Sequence, residues 1–71
     1  MSERVRVRVL LVVGEEAEVV ADVPADERAE PVRYPAGDVA SAVGLSVREL
    51  PGKRLTAVVD GRDRLSEWRL A

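Results

Sequence analysis

From Arg4 to Val9 charged and apolar positions alternate one for one, as Arg-Val-Arg-Val-Arg-Val. That is the period of a strand with one buried face, and the β-branched valines favour it. The apolar run continues from Leu10 to Val13, and a second strand-like stretch covers Glu16 to Val23. Gly14-Glu15-Glu16 lies between them, so residues 4–23 are expected to form a β-hairpin. A three-residue loop would pair Val13 with Ala17, Leu11 with Val19, Val9 with Ala21 and Val7 with Val23, giving one wholly apolar face. A two-residue loop would set Val7 against Asp22 and Leu11 against Glu18. A slip of one residue moves every side chain to the other face, so the three-residue register is the expected one. On the second face of that hairpin, Arg4, Arg6 and Arg8 form a basic stripe with Asp22 opposite Arg8. Leu10, Val12 and Val20 form an apolar patch near the turn. A helix, another strand or a second copy of the chain has to cover that patch, which makes it a candidate interface and a motive for a homodimer.

Residues 24–35 read as an acidic connector broken by Pro24, Pro31 and Pro35, with Val32-Arg33-Tyr34 as a short edge strand. Ala36 to Val43 is the helix candidate, since Pro35 suits its start and Gly44 its end. Ser46-Val47-Arg48-Glu49 has the spacing of a capping box, but Pro51 stops the turn it opens. Leu50-Pro51-Gly52-Lys53 places Pro and Gly at the centre of a type II turn. Arg54 to Val59 and Arg64 to Leu70 read as a second hairpin, spanning 54–70, around Asp60-Gly61-Arg62-Asp63. With a four-residue loop, Leu55 faces Trp68 and Val58 faces Leu65. Leu65 and Trp68 then point to opposite faces, unless a bulge intervenes.

The expected order is β-β-α-β-β in a single small domain covering residues 1–71. Its class is α+β: two antiparallel hairpins and a short central helical region (36–50), making a four-stranded sheet or a small half-open barrel. Trp68 is expected to anchor the core with Leu55 and Leu70, and Tyr34 to pack over the helix start.

Composition narrows the chemistry. The 71 residues carry 11 basic and 13 acidic side chains, and Cys, His, Phe, Ile, Asn and Gln are all absent. Without Cys and His there is no disulfide, no thiolate–imidazole metal site and no Cys or His catalysis. Ten arginines against one lysine point to a GC-rich bacterial genome, so arginine content alone is no sign of nucleic acid. No apolar run approaches the roughly 20 residues of a membrane-spanning helix. Arginine alternates with valine where a leader would separate the two, so a cytoplasmic protein is expected.

Candidate sites are few. Glu15, Glu16 and Glu18 surround a turn, and neither they nor Asp60-Gly61-Arg62-Asp63 have the spacing of a calcium loop. Ser41, Ser46, Ser66, Thr56, Lys53 and Tyr34 are potential nucleophiles without an evident base. No catalytic residue, metal ligand or cofactor is therefore assigned.

Residues 38–50, Asp-Val-Ala-Ser-Ala-Val-Gly-Leu-Ser-Val-Arg-Glu-Leu, resemble the helix-turn-helix of bacterial transcription regulators. The likeness lies in Ala40, Gly44 at the turn, Leu45 and Ser46 after it, and Leu50. It implies a nucleic-acid-binding regulator with contacts from Arg48, Lys53 and Arg54 beside a wing-like hairpin 54–70. Separately, alternation sets Arg4, Arg6 and Arg8 roughly 6–7 Å apart along one strand face, where they are candidates for phosphate contacts. The segment departs from that pattern where Pro51-Gly52 ends the second helix after one turn. A net charge of −2 also opposes binding to polyanions. The expectation is therefore a non-enzymatic protein-interaction or accessory domain, with the nucleic-acid-binding regulator as the alternative.

Overall fold

The computed structural model describes residues 3–28, 30–62 and 64–71; Met1, Ser2, Ala29 and Asp63 lie outside the described residues. Five strands and one helix follow the chain: β1 (Glu3–Val13), β2 (Glu16–Ala21), β3 (Val32–Pro35), α1 (Ala36–Val43), β4 (Arg54–Val59) and β5 (Leu65–Leu70). Single 3₁₀ turns occur at Ala25–Glu27 and Val47–Glu49. All strand pairings are antiparallel, in the order β3-β2-β1-β4-β5. The class is α+β with two hairpins, as expected, but the sheet has five strands where four were expected. The extra one is the Val32-Arg33-Tyr34 segment, which pairs with β2 and becomes an edge.

The long β1 strand organises the sheet. Its first half pairs with β4 from Glu3 to Arg8, and its second half pairs with β2 from Val7 to Val13. Because its two ends have different neighbours, the sheet curls into a half-barrel, and α1 packs on the inner face.

The first hairpin does not take the three-residue register. Val13 pairs with Glu16, so only Gly14 and Glu15 form the loop. Gly14 has φ +60, the first central position of a tight hairpin turn whose twist matches that of the strands. A two-residue loop alone would have turned the valines outward. Instead the register shifts between Val9 and Leu11, with Leu10 as the extra residue. Beyond this bulge Val9 pairs with Val19 and Val7 with Ala21, which brings the apolar set back to the core.

The helix ends as its local signals dictate. The Ala36 amide donates to the Glu15 carbonyl at 2.9 Å, tying the helix start to the first turn. Gly44, at φ +74, lets its own amide reach Ser41 O and the Leu45 amide reach Ala40 O, closing a Schellman motif. The Pro51-Gly52 turn forms as read, with Lys53 N donating to Leu50 O at 2.9 Å. Gly52 N also donates to Val9 O, and Val9 N to Lys53 O, which docks this turn beside the Leu10 bulge.

In the second hairpin Val59 pairs with Leu65, so five residues connect the strands where four were expected. The shift between Thr56 and Val58 opposes Ala57 to an extra residue, and Glu67 takes φ +50 there. This bulge puts Leu65 and Trp68 on the same, inner face. The core is Val7, Val9, Ala17, Val19, Tyr34, Ala36, Val39, Ala40, Leu50, Leu55, Ala57 and Trp68. Trp68 is therefore a core residue, as expected, whereas Leu70 is largely exposed.

Candidate arginine-lined binding face

The outer face of the sheet is built by alternation. Since Val5, Val7 and Val9 point inward on β1, Arg4, Arg6 and Arg8 stand on the other side. Cross-strand pairing then extends the basic stripe. Arg6 lies opposite Thr56, and Thr56 opposite Arg69, so these three form one row across β1, β4 and β5. In the next row Arg8 lies directly opposite Arg54. Adjacent strands are about 4.8 Å apart and alternate residues of one strand 6–7 Å apart, so five arginines share a compact surface.

Two of the five are engaged. Arg4 reaches across β4, and its Nη1 donates to Thr56 Oγ1 at 2.9 Å and to the Glu67 carbonyl at 3.0 Å. Arg54 Nε stands 3.8 Å from Asp22 Oδ2. Among the described residues Arg6, Arg8 and Arg69 have no ion pair. Like charges directly opposite one another on adjacent strands oppose folding, so the Arg8–Arg54 pair is a liability in the isolated domain. Arg6, Arg54, Thr56, Asp22, Leu70 and Ala71 line a cleft of about 450 Å³ in this face. Five arginines face one acidic residue of the cleft, Asp22, while the other six basic side chains stand against the other twelve acidic ones, so the arginine face is positive on an otherwise acidic molecule.

The nearer half of the outer face is charge-balanced. Arg33 of β3 pairs with Glu18 at 3.2 Å and with Glu16 at 3.7 Å. Leu11 and Val13 are exposed beside these acids, opposite Glu18 and Glu16.

Not all the residues singled out in the sequence converge. Arg4, Arg6, Arg8 and Arg54 come together. Arg48 sits on the short turn Val47–Glu49 and Lys53 in the turn before β4, and neither lines the arginine cleft. Leu10, Val12 and Val20 do not form one apolar patch. The bulge turns Val12 inward opposite Ala17, where it packs on the core, while Val20 pairs with Arg8 and Leu10 is the unpaired residue. Two site residues, Thr56 and Arg69, were missed. A signal existed, since pairing Leu55 with Trp68 already sets Arg54 and Arg69 on one side. What the sequence lacks is the adjacency of β1 and β4, which joins both groups.

Residues 38–50 are not a helix-turn-helix: α1 is followed by a single 3₁₀ turn, and Val39, Ala40 and Leu50 are spent on the core. Ser46 is tied up in its capping box, where the Glu49 carboxylate accepts from the Ser46 hydroxyl at 2.8 Å and from its amide at 3.3 Å. These bonds hold the Glu49 carboxyl below its ordinary range. The Asp60 carboxyl is lowered likewise by the Arg64 and Arg62 amides, at 3.0 and 2.8 Å. Ser41 and Ser66 are exposed and do not line the arginine cleft. Among the described residues no three His, Cys, Asp or Glu side chains gather as a metal site, and Asp63 lies outside them. No described helix is long and apolar enough to cross a membrane.

On the inner face, beyond the reach of α1, a second cleft of about 360 Å³ opens between the sheet edges, walled by Val5, Val7, Val19, Val32, Val59 and Leu65. No protein-family model, curated protein or solved structure matches the chain.

Proposed function

We propose that the chain is a small non-enzymatic protein-interaction domain whose arginine face receives an acidic segment of a partner protein. One observation carries the reading: Arg6 and Arg69 flank Thr56 and Arg8 faces Arg54, and none of these three arginines has an ion pair among the described residues, on a chain of net charge −2. Such crowding costs stability, and carboxylates from a partner offset it. The planar guanidinium fork matches a carboxylate in two hydrogen bonds. The reading keeps the cytoplasmic setting expected from the sequence.

Nucleic acid is the competing partner, and two features favour protein over it. The net negative charge repels a polyanion at long range. Both aromatic rings, Tyr34 and Trp68, are buried in the core, so the face offers bases no stacking platform.

The test is a calorimetric titration of the full chain with a short peptide rich in Glu and Asp, beside generic duplex DNA, as salt rises. The peptide is expected to bind at low salt and weaken as salt is added. Arg8→Glu combined with Arg69→Glu abolishes binding while the circular dichroism spectrum stays unchanged. No peptide binding at low salt overturns the reading. A duplex that binds more tightly than the peptide assigns the face to nucleic acid instead.

A further inference from the structure

The arginine cleft presents more donors than a single carboxylate uses. Arg6 on β1 and Arg54 on β4 flank it, Thr56 stands between Arg6 and Arg69, and Arg8 faces Arg54. Thr56 Oγ1 accepts from Arg4 at 2.9 Å, and its own hydroxyl proton has no acceptor among the described residues. Thr56 is thus held in place by one arginine and left free to donate. The opposing carboxylate in the lining is Asp22, which is 3.8 Å from Arg54 and beyond hydrogen-bonding distance.

A carboxylate brings two oxygens and one charge. A phosphate monoester brings three strong acceptor oxygens and close to two charges near neutral pH. Guanidinium groups on neighbouring strands, with a hydroxyl between them, match the second ligand better in both charge and donor number. Leu70, largely exposed at the cleft border, gives an apolar contact for the residue next to such a group. We infer that the cleft between Arg6, Arg54 and Thr56 binds a phosphorylated serine or threonine of the partner protein. The inference rests on the acidic-partner reading and narrows it to a segment that phosphorylation completes.

The experiment compares three forms of one short Gly- and Glu-containing peptide, with Ser, Glu or phosphoserine at its centre, titrated into the full chain. The phosphoserine form is expected to bind about tenfold more tightly than the Glu form, the scale of one added charge-assisted contact. Arg6→Gln and Arg54→Gln are each expected to weaken the phosphoserine form more than the Glu form, and so to erase that preference, because the phosphate uses the fork that each removes. Arg54→Lys keeps the charge but loses the fork, and falls between the two. Both positions are exposed, and circular dichroism confirms that the variants fold. Equal affinity for the Glu and phosphoserine forms overturns the phosphate inference and leaves the acidic-partner reading standing. Failure of all three peptides to bind overturns both.

Discussion

Tyr34 and Trp68 meet edge to face across the mouth of the half-barrel, with ring centroids 5.1 Å apart and planes at 74°. They belong to β3 and β5, the two edges of the sheet, which share no backbone pairing. Tyr34 Oη also accepts the Leu65 amide at 3.1 Å. That amide lies on the outer side of an edge strand, where no described strand serves it. Arg64 stacks over the Tyr34 ring at 5.3 Å. One tyrosine thus links the sheet ends by a ring contact, a hydrogen bond and a cation–π contact.

Tyr34→Phe keeps the ring contact and leaves the Leu65 amide without its acceptor, so a loss of about 1 kcal/mol is expected. Trp68→Ala removes the largest core side chain and is expected to cost about 3–5 kcal/mol, enough to unfold much of a domain this small. Urea unfolding followed by circular dichroism checks both. A double-mutant cycle pairing Tyr34→Leu with the milder Trp68→Leu, each of which removes a ring, is expected to show coupling of about 0.5–1.5 kcal/mol between the rings. Additive effects would mean that the two rings do not stabilise each other.

Glu67 sits at φ +50 in the β5 bulge, a conformation that disfavours any side chain. Glu67→Gly is expected to stabilise the fold by up to about 1 kcal/mol, raising the melting temperature by about 4–8 °C per kcal/mol gained. The Arg4 bond to the Glu67 carbonyl involves only backbone at that position, so it survives the change. Gly44 at φ +74 gives the converse case: a Cβ there meets nothing within 4 Å, so the expected loss of about 1 kcal/mol in Gly44→Ala is conformational alone. Differential scanning calorimetry of the two variants should give melting shifts of opposite sign.

The contrast between these two positions shows what could be read from the chain. The helix Ala36–Val43, the Gly44 stop and the Pro51-Gly52 turn were legible because each is set by residues within a few positions. The two bulges were not, because each settles a conflict between distant demands. At Leu10, the tight Gly14-Glu15 turn competes with burial of Val7 and Val9. At Glu67, the five-residue loop competes with burial of both Leu65 and Trp68. The candidate site was half legible for a related reason. Alternation showed that Arg4, Arg6 and Arg8 share a face, but only tertiary pairing brings Arg54, Thr56 and Arg69 beside them.

Arg8 and Arg54 make a stability test of the binding face. Arg8 has no ion pair among the described residues and stands opposite another arginine. Arg8→Thr is therefore expected to stabilise the free domain by a few tenths of a kcal/mol at low ionic strength. Salt shortens the screening length, so the gain should fade as salt is added. The same substitution is expected to weaken binding of an acidic peptide. A destabilised Arg8→Thr variant at low salt would show that the arginines do not repel one another in the fold.

Two exposed carboxylates should contribute to acid lability. Asp60 accepts the Arg64 and Arg62 amides and Glu49 accepts both Ser46 donors, and these bonds lower each carboxyl from its ordinary value. A carboxylate whose folded-state pKa is depressed adds stability that is present above its unfolded pKa. That stability is lost as the pH falls through the folded value. Stability should therefore be flat near neutral pH and drop below the ordinary carboxylate range, first in the loop from Asp60 to Arg64 and in the turn Val47–Glu49. Asp60→Asn keeps an oxygen acceptor but no titrating group, so it should flatten that part of the acid slope while lowering stability at neutral pH. Carboxyl chemical shifts followed by NMR through the acid range, with urea midpoints at each pH, check the sign. An Asp60 carboxyl that titrates above its ordinary value would reverse it.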